Sequence, residues 1–172
     1  LKFGVITDTH IRSPEGDQSS PYAVNEKAND RARYAVQLLA DQNPDFVIHL
    51  GDMVHPLPHM AAYSEAAKEA NKIFLPLMPN LKFVPGNHDS GDKPSLVSPA
   101  GPADKASLDT YRQHFGEDFY SFEFRNIQFI VMNSSLVNNL KEENSQKKWL
   151  ETELATTKNK RIFLFSHYPP FI

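Results

Sequence analysis

Short apolar runs alternate with segments of helical periodicity along this chain, and the alternation predicts its fold class. In several segments apolar residues recur every three or four positions, which is the spacing of one face of a helix. Between these segments lie short apolar runs that end in polar residues or glycine, as is typical of buried strands. The predicted strands are residues 2–7, 46–50, 82–84, 120–124, 127–133 and 161–165.

The predicted helices cover residues 28–39 and 59–74 and segments around 108–115 and 149–154. The first helix should end at Asn43-Pro44, because a residue that precedes proline is kept out of helical geometry. Arg125-Asn126 separates two strands and predicts a hairpin. Strands that alternate with helices therefore predict an α/β fold with a largely parallel sheet and one antiparallel hairpin.

Length and composition indicate one globular domain over residues 1–172, since 40% of the residues are hydrophobic. The net charge of −3, with both signs mixed along the chain, disfavours nucleic acid as a partner. The chain has no cysteine, which excludes disulfides, thiolate nucleophiles and cysteine-based zinc sites. No apolar run approaches the roughly 20 residues needed to cross a membrane.

Neither the compartment nor the oligomeric state follows from these properties. A cytoplasmic location is favoured, and export after removal of a signal peptide is the open alternative. The chain begins in a strand-like run and stops soon after the last predicted strand. A sheet that ended there would leave an open edge, so we expect a longer parent protein with a further C-terminal part.

Four polar motifs stand just past the ends of predicted strands. They are Asp8-Thr9-His10, Gly51-Asp52, Gly86-Asn87-His88-Asp89 and Ser166-His167. Open α/β sheets bind ligands at the carboxyl ends of their strands, so these motifs can converge on one crevice. If strand geometry persists beyond residue 7, its period of two places Asp8 and His10 on one face.

The chemistry of these side chains predicts a metal site. Carboxylate, imidazole and amide oxygen groups bind divalent cations, and the Asp52 carboxylate has two oxygens with which to bridge a pair of ions. His88 should project towards a substrate rather than a metal, with Asp89 orienting its ring. Each motif alone also fits an ordinary polar turn, but four of them in strand-end positions favour a shared site.

At these residues the chain resembles the calcineurin-like metallophosphoesterases. Their motifs are Asp-x-His, Gly-Asp, Gly-Asn-His-Asp/Glu, a lone His and Gly-His-x-His, and the first four occur here in order. The fifth, which supplies one ligand to each metal in the family, is absent as far as Ile172. The resemblance implies a layered α/β/β/α sandwich that hydrolyses a small phosphomonoester or phosphodiester with a metal-bound hydroxide as nucleophile.

The resemblance also implies a role for each motif residue. Asp8 and His10 would bind the first of two metal ions, Asp52 would bridge both, and Asn87 and His167 would bind the second. His88 would contact the phosphate and protonate the leaving group. The ions would be divalent or trivalent, with Mn, Fe and Zn favoured.

Within the superfamily, the segments 86–94 and 115–122 resemble two branches. These are the class III cyclic-nucleotide phosphodiesterases and the calcineurin-like phosphoesterase domain-containing protein 1 group. The chain differs from the Ser/Thr protein phosphatases, in which an Asp-Arg-Gly run follows the Gly-Asp motif. Purple acid phosphatases have a tyrosine three residues after the bridging aspartate, where this chain has His55. The colour of a tyrosinate–iron centre is therefore not expected.

Several alternatives stay open at this point. A protein-binding scaffold that has lost catalysis is one, although the presence of His88 favours an enzyme; a nuclease is another. His49 lies inside an apolar run and is interpreted as a core or supporting residue, whereas His55 fits a pocket wall and a metal ligand equally well. We expect the loop 90–104 and the C-terminal part of the longer parent protein to determine which substrate is bound.

Overall fold

Two three-stranded sheets form the centre of the molecule. The computed structural model describes residues 1–15, 22–94, 96, 98–157 and 160–169. The first sheet is parallel, and its strands lie in chain order. They are β1 (Phe3–Ile6), β2 (Phe46–His49) and β3 (Leu81–Phe83).

The second sheet contains the predicted hairpin and the last strand. Its strands are β4 (Tyr120–Phe124), β5 (Ile127–Val131) and β6 (Arg161–Phe165). The first two are antiparallel, as predicted, and β6 joins β5 in parallel, with Val131 opposite Phe165. The strand pattern alone predicted one largely parallel sheet with a hairpin, so the division into two sheets corrects that expectation. It agrees with the layered sandwich that the family resemblance implied.

Helices cover both outer faces of this pair of sheets. They are α1 (Ala28–Asp41), α2 (Tyr63–Phe74), α3 (Asn87–Ser90), α4 (Lys105–Phe115) and α5 (Leu140–Thr156). The helix predicted from residue 59 begins only at Tyr63, and the one predicted around 149–154 extends back to Leu140. The start of α4 follows from its cap, since the Asp104 carboxylate accepts the Ser107 N–H at 2.8 Å.

Side-chain alternation along the strands produces the layers. Val47 and Phe83 face a core that α1, α2 and α4 complete with residues such as Val36, Ala66 and Tyr111. On the far side of the second sheet, Glu153 of α5 accepts a hydrogen bond from the Ser121 hydroxyl at 2.7 Å. The order of layers is therefore helices, first sheet, second sheet, helix, as expected for an α/β/β/α sandwich. None of the helices in the described parts of the chain has the length and apolarity needed to cross a bilayer.

Phenylalanine rings hold the two sheets together. The fully buried ring of Phe129 lies 5.0 Å from Phe46 in the first sheet and 5.0 Å and 5.4 Å from Phe122 and Phe163 in the second, between ring centroids. Seven of the chain's 12 phenylalanines belong to this cluster. Because aromatic side chains bury large areas, this interface fixes the position of one sheet against the other.

Replacing Phe129 with alanine tests that interface. We expect a loss of about 3–5 kcal/mol in the free energy of unfolding, because the cavity would lie among the five phenylalanine rings that contact Phe129. Denaturant unfolding of the metal-free protein measures it. The control is Leu75→Ala, since Leu75 is 65% exposed and its loss should cost little. An equal effect of the two substitutions would contradict a phenylalanine-dependent contact between the sheets.

Candidate metal centre

The loops that follow β1, β2, β3 and β6 meet at one edge of the molecule. The Asp8 and His10 amides each donate at 3.0 Å to the carbonyls of Gly51 and Asp52, which joins the first two loops. The His167 ring lies 2.9 Å from the Leu50 carbonyl, which joins the second sheet to the first. The structure thus gathers the predicted motif residues at one site: Asp8, His10, Asp52, Asn87, His88, Asp89 and His167.

The backbone reaches this arrangement through left-handed residues rather than through an extended strand. Strand β1 ends at Ile6, and Asp8, His10 and Asp52 have φ angles of 52°, 45° and 54°. The condition under which strand periodicity would place Asp8 and His10 on one face is therefore not met; a left-handed turn brings them together. Such conformations cost about 1 kcal/mol or more for a residue with a Cβ, and they cluster at functional sites.

One group of possible metal ligands comprises Asp8, His10 and Asp52. The His10 Nε2 atom lies 3.7 Å from an oxygen of Asp8 and 3.8 Å from Oδ2 of Asp52, and one ligand atom from each residue falls within 4.8 Å of the others. The His10 ring lowers the pKa of the Asp8 carboxyl to about 2. Burial opposes a charge on His10, but the two carboxylates outweigh it and raise the pKa of that ring. The group therefore favours a positive charge at its centre.

A second group uses the other oxygen of Asp52. The His167 Nε2 atom lies 3.3 Å from Asn87 Oδ1 and 3.7 Å from Asp52 Oδ1. The Leu50 carbonyl can only accept, so in the neutral His167 ring the proton sits on Nδ1 and Nε2 presents a lone pair. Three acceptor atoms then face one another, an arrangement that a cation satisfies. The two groups share one carboxylate and fit a pair of ions.

Glycine makes the close approach of these loops possible. A Cβ on Gly86 would lie 2.2 Å from Asp52 Oδ1, and one on Gly51 would lie 2.7 Å from His167 Nδ1. Gly51 also has a φ of 107°, which residues with a side chain rarely adopt. The glycines of both motifs are therefore required by the space around the ligands.

His49 supports the site from within the core, in agreement with the interpretation of this residue as a core or supporting histidine. It is fully buried, and burial lowers the pKa of the ring to about 3, so the ring is neutral. Its Nδ1 accepts the Gly51 N–H at 3.2 Å, which leaves the proton on Nε2 to be donated to the Thr9 hydroxyl at 2.9 Å. The ring thus ties the turn that carries Asp8 to the loop that carries Asp52.

The structure assigns Asp89 a different place from the one the sequence predicted. Its carboxylate is fully buried and accepts the amide protons of Met53, Val54 and Gly86 at 2.9, 3.3 and 2.9 Å. Burial, followed by the neighbouring Asp52 carboxylate, raises its pKa. The expectation that Asp89 orients the His88 ring is wrong, because backbone amides occupy both of its oxygens.

The partner of the His88 ring is the backbone carbonyl of His55. The His88 Nδ1 atom lies 2.8 Å from that oxygen, so Nδ1 carries a proton and Nε2 faces away from the contact. The His88 amide also donates to Asp52 Oδ1 at 2.9 Å, which places the residue directly beside both ligand groups.

His55 is the site residue whose place the sequence left undecided. One ligand atom from each of His10, His55 and His88 lies within 4.8 Å of the others, and the His55 and His88 rings are 5.5 Å apart. Its position three residues after Asp52 was the available signal, but spacing alone did not distinguish a ligand from a pocket wall.

Comparison with known proteins gives the class of this fold and site. The profile of the calcineurin-like phosphoesterases matches residues 1–171, and the chain belongs to this family. Among curated relatives, it is similar to serine/threonine-protein phosphatase CPPED1 of Homo sapiens, with 24% identity over 80% of this chain and 45% of that protein. The CPPED1 of Danio rerio is 26% identical over 75% of this chain and 42% of that protein. The chain thus spans less than half the length of these relatives.

Solved structures support the fold independently. A dimetal phosphatase from Danio rerio superposes with a TM-score of 0.59 and 18% identity, covering 98% of this chain and 70% of that one. Purple acid phosphatase PPD1 from yellow lupin gives 0.60 and 16%, covering 90% of this chain and 27% of that one. At such identities the likeness establishes a shared fold.

Gly86→Ala tests whether the loops need their close approach. The added methyl group would displace the Asp52 carboxylate, so we expect the protein to bind substantially less metal while remaining folded. Metal bound per chain, measured by elemental analysis after dialysis against Mn²⁺ or Zn²⁺, is the readout, with circular dichroism as the check on folding.

Gly101→Ala is the control for this prediction. Gly101 has a φ of 69°, whereas Gly86 has an ordinary φ of −96°, and a Cβ on Gly101 would meet no atom within 4 Å. This variant therefore carries a backbone cost that Gly86→Ala lacks, but it does not touch the site and should keep its metal. Equal metal content in the wild type and Gly86→Ala would refute the steric argument.

Proposed function

We propose that this chain provides the metal-binding core of a phosphoester hydrolase with a dinuclear metal centre. The observation that carries the proposal is the division of the Asp52 carboxylate between two acceptor groups, one with Asp8 and His10, the other with Asn87 and His167. Oδ2 of Asp52 lies 3.8 Å from His10 Nε2 and Oδ1 lies 3.7 Å from His167 Nε2, as expected where two cations share one carboxylate. Family membership supports phosphoester hydrolysis as the reaction.

Asp8, His10 and Asp52 would hold one ion, and Asp52, Asn87 and His167 the other. Oxygen and imidazole ligands of this kind suit Mn, Fe and Zn. When bound, the two ions supply Lewis-acid chemistry, which activates water near neutral pH and neutralises charge on the phosphoryl oxygens. The chain's own task is to hold these ligands in place, through His49, Asp89 and the two glycines.

His88 is proposed as the proton donor to the leaving alcohol. Its Nδ1–H is held by the His55 carbonyl, so the second proton of the charged ring lies on Nε2, at the open side of the site. The residue is only half-buried and stands beside Asp52. A ring fixed at one nitrogen and open at the other is suited to general acid catalysis.

A phosphomonoester is the favoured substrate class within the wider choice of monoester or diester. The relatives CPPED1 are named as serine/threonine-protein phosphatases, and such enzymes act on monoesters. The scaffold alternative is disfavoured because the four motifs that the chain contains, with His88 in place, surround the site. Hydrolysis of an aryl monoester, an aryl diester and cyclic AMP by the metal-loaded protein, before and after chelation, tests the proposal; no turnover of any ester would overturn it.

His88→Ala should reduce kcat about 10²–10⁴-fold while metal content stays near that of the wild type, because the residue donates a proton and is not counted among the ligands. Turnover of 4-nitrophenyl phosphate and metal per chain are the two readouts. His59→Ala is the control, since His59 is exposed and lies outside both groups. Unchanged turnover of the His88 variant would remove its proposed role.

Asp52→Asn should lose metal and activity together. The amide keeps the shape of the side chain but has a single acceptor oxygen and no charge, so it cannot serve both groups. Metal per chain and ester hydrolysis are measured as for His88. Asp30→Asn, at a side chain that is 83% exposed, should retain both properties. A fully loaded and active Asp52 variant is the contrary result.

A further inference from the structure

An apolar cavity opens directly beside the metal centre. It has a volume of about 500 Å³, and one wall consists of His10, His55 and His88. The remaining wall is lined by Tyr22, Val24, Asn25, Leu57, Met60 and Pro99. We call this space the leaving-group cavity.

Apolar side chains line the leaving-group cavity both at its buried end and at its exposed end. Leu57 is 3% exposed and forms the floor, while Val24 and Tyr22, at 52% and 68%, stand at the rim. None of the described residues that line the cavity is Lys, Arg, Asp or Glu. Away from the histidine wall, a lining of this kind favours an apolar ligand group.

A second, smaller space also borders His10. It measures about 190 Å³, and its lining combines alanine side chains with Thr7, Asp8 and Arg31. The carboxylate and the guanidinium make it less suited to an apolar group than the leaving-group cavity. Both spaces border His10, so the position of the proton donor decides which of them receives the leaving group.

His88 lines the larger space and not the smaller one. A general acid must come within hydrogen-bond reach of the ester oxygen that departs. The alcohol attached to that oxygen therefore extends into the space that His88 borders. Pro99 belongs to the loop 90–104, to which the sequence assigned substrate choice; Ser95 and Val97 of this loop lie outside the described residues.

We propose that the leaving-group cavity binds the alcohol portion of the substrate and selects phosphoesters whose alcohol carries an apolar, phenyl-sized group. This inference rests on the proposed function. The segment that forms the floor is fixed to the proton donor, because His88 holds the His55 carbonyl and the Leu57 carbonyl accepts the Met60 amide at 2.8 Å. Recognition of the alcohol and placement of the acid thus depend on the same short stretch of chain.

The test compares two esters with the same type of bond to be broken. Metal-loaded protein is assayed with 2-phenylethyl phosphate and with ethyl phosphate, both of which release a primary alcohol. We expect kcat/KM to be about tenfold or more higher for the phenylethyl ester, since burial of an aromatic ring favours it. Equal values for the two esters would overturn the inference.

Met60→Gln locates the preference in this cavity. Glutamine has nearly the length of methionine but is polar, so the preference should fall to about threefold or less. Met78→Gln is the matched control, because Met78 is 38% exposed and does not line the cavity. An identical preference in the two variants would place the selectivity elsewhere and refute the assignment.

A binding measurement separates this inference from the proposed function. The methyl carbons of the four methionines are labelled and observed by NMR, and the Met60 signal is assigned by its loss in Met60→Gln. Phenylphosphonate, which has no ester bond to hydrolyse, should shift the Met60 signal, whereas methylphosphonate should not. If the Met60 signal shifts but neither ester is hydrolysed, the proposed function is refuted and the binding role of the cavity stands. If the signal does not shift, the binding role of the cavity is refuted, even when both esters are hydrolysed.

Discussion

The packing of phenylalanine rings between the two sheets is the interaction on which the site depends. Most of the ligand groups come from loops of the first sheet, but His167 follows the last strand of the second. Its ring reaches the Leu50 carbonyl and Asn87 only because the sheets are held face to face. Burial of large aromatic rings is non-directional, yet the close packing of this cluster leaves the sheets little freedom to slide. This packing stabilises the contact between Leu50 and His167, which lie 117 positions apart in the chain.

Within the site, the side chains that could hold a cation lie close together. Carboxylate and imidazole acceptors face one another around Asp52, and three of the residues involved have left-handed backbone conformations. Left-handed conformations are costly for residues with a side chain, so such a cluster persists only where the surrounding structure enforces it. His49 and Asp89 do so from beneath, through hydrogen bonds to the backbone of the loops. The fold is thus the scaffold of the site.

His55 connects the chemistry of the centre to the shape around it. Its carbonyl anchors the ring of His88, and its own ring stands in the wall of the leaving-group cavity. A short segment after the Asp52 loop therefore serves the proton donor with its backbone and the substrate with its side chains. Under the proposed function, this arrangement would join selectivity and catalysis.

The sequence by itself determined the elements and the candidate ligands. Apolar periodicity predicted all six strands to within two residues at their ends and the general positions of four helices, because it records which side of each element is buried. The glycine-, aspartate- and histidine-containing motifs identified the residues that now surround one centre, since few side chains can bind metal ions. Among the described α-helices, α3 was not predicted, and α5 was predicted over less than half of its length because its first half is largely polar.

The tertiary structure decided the rest. Periodicity shows that a strand is buried but not which sheet covers it, so the split into two sheets could not be predicted from the strands alone. Nor does spacing reveal a left-handed turn; Asp8 and His10 meet through one, although strand alternation predicted the same neighbours for the wrong reason. The partner of the His88 ring and the task of Asp89 depend on which backbone groups come within 3 Å. Those distances are set by the packing of elements far apart in the chain.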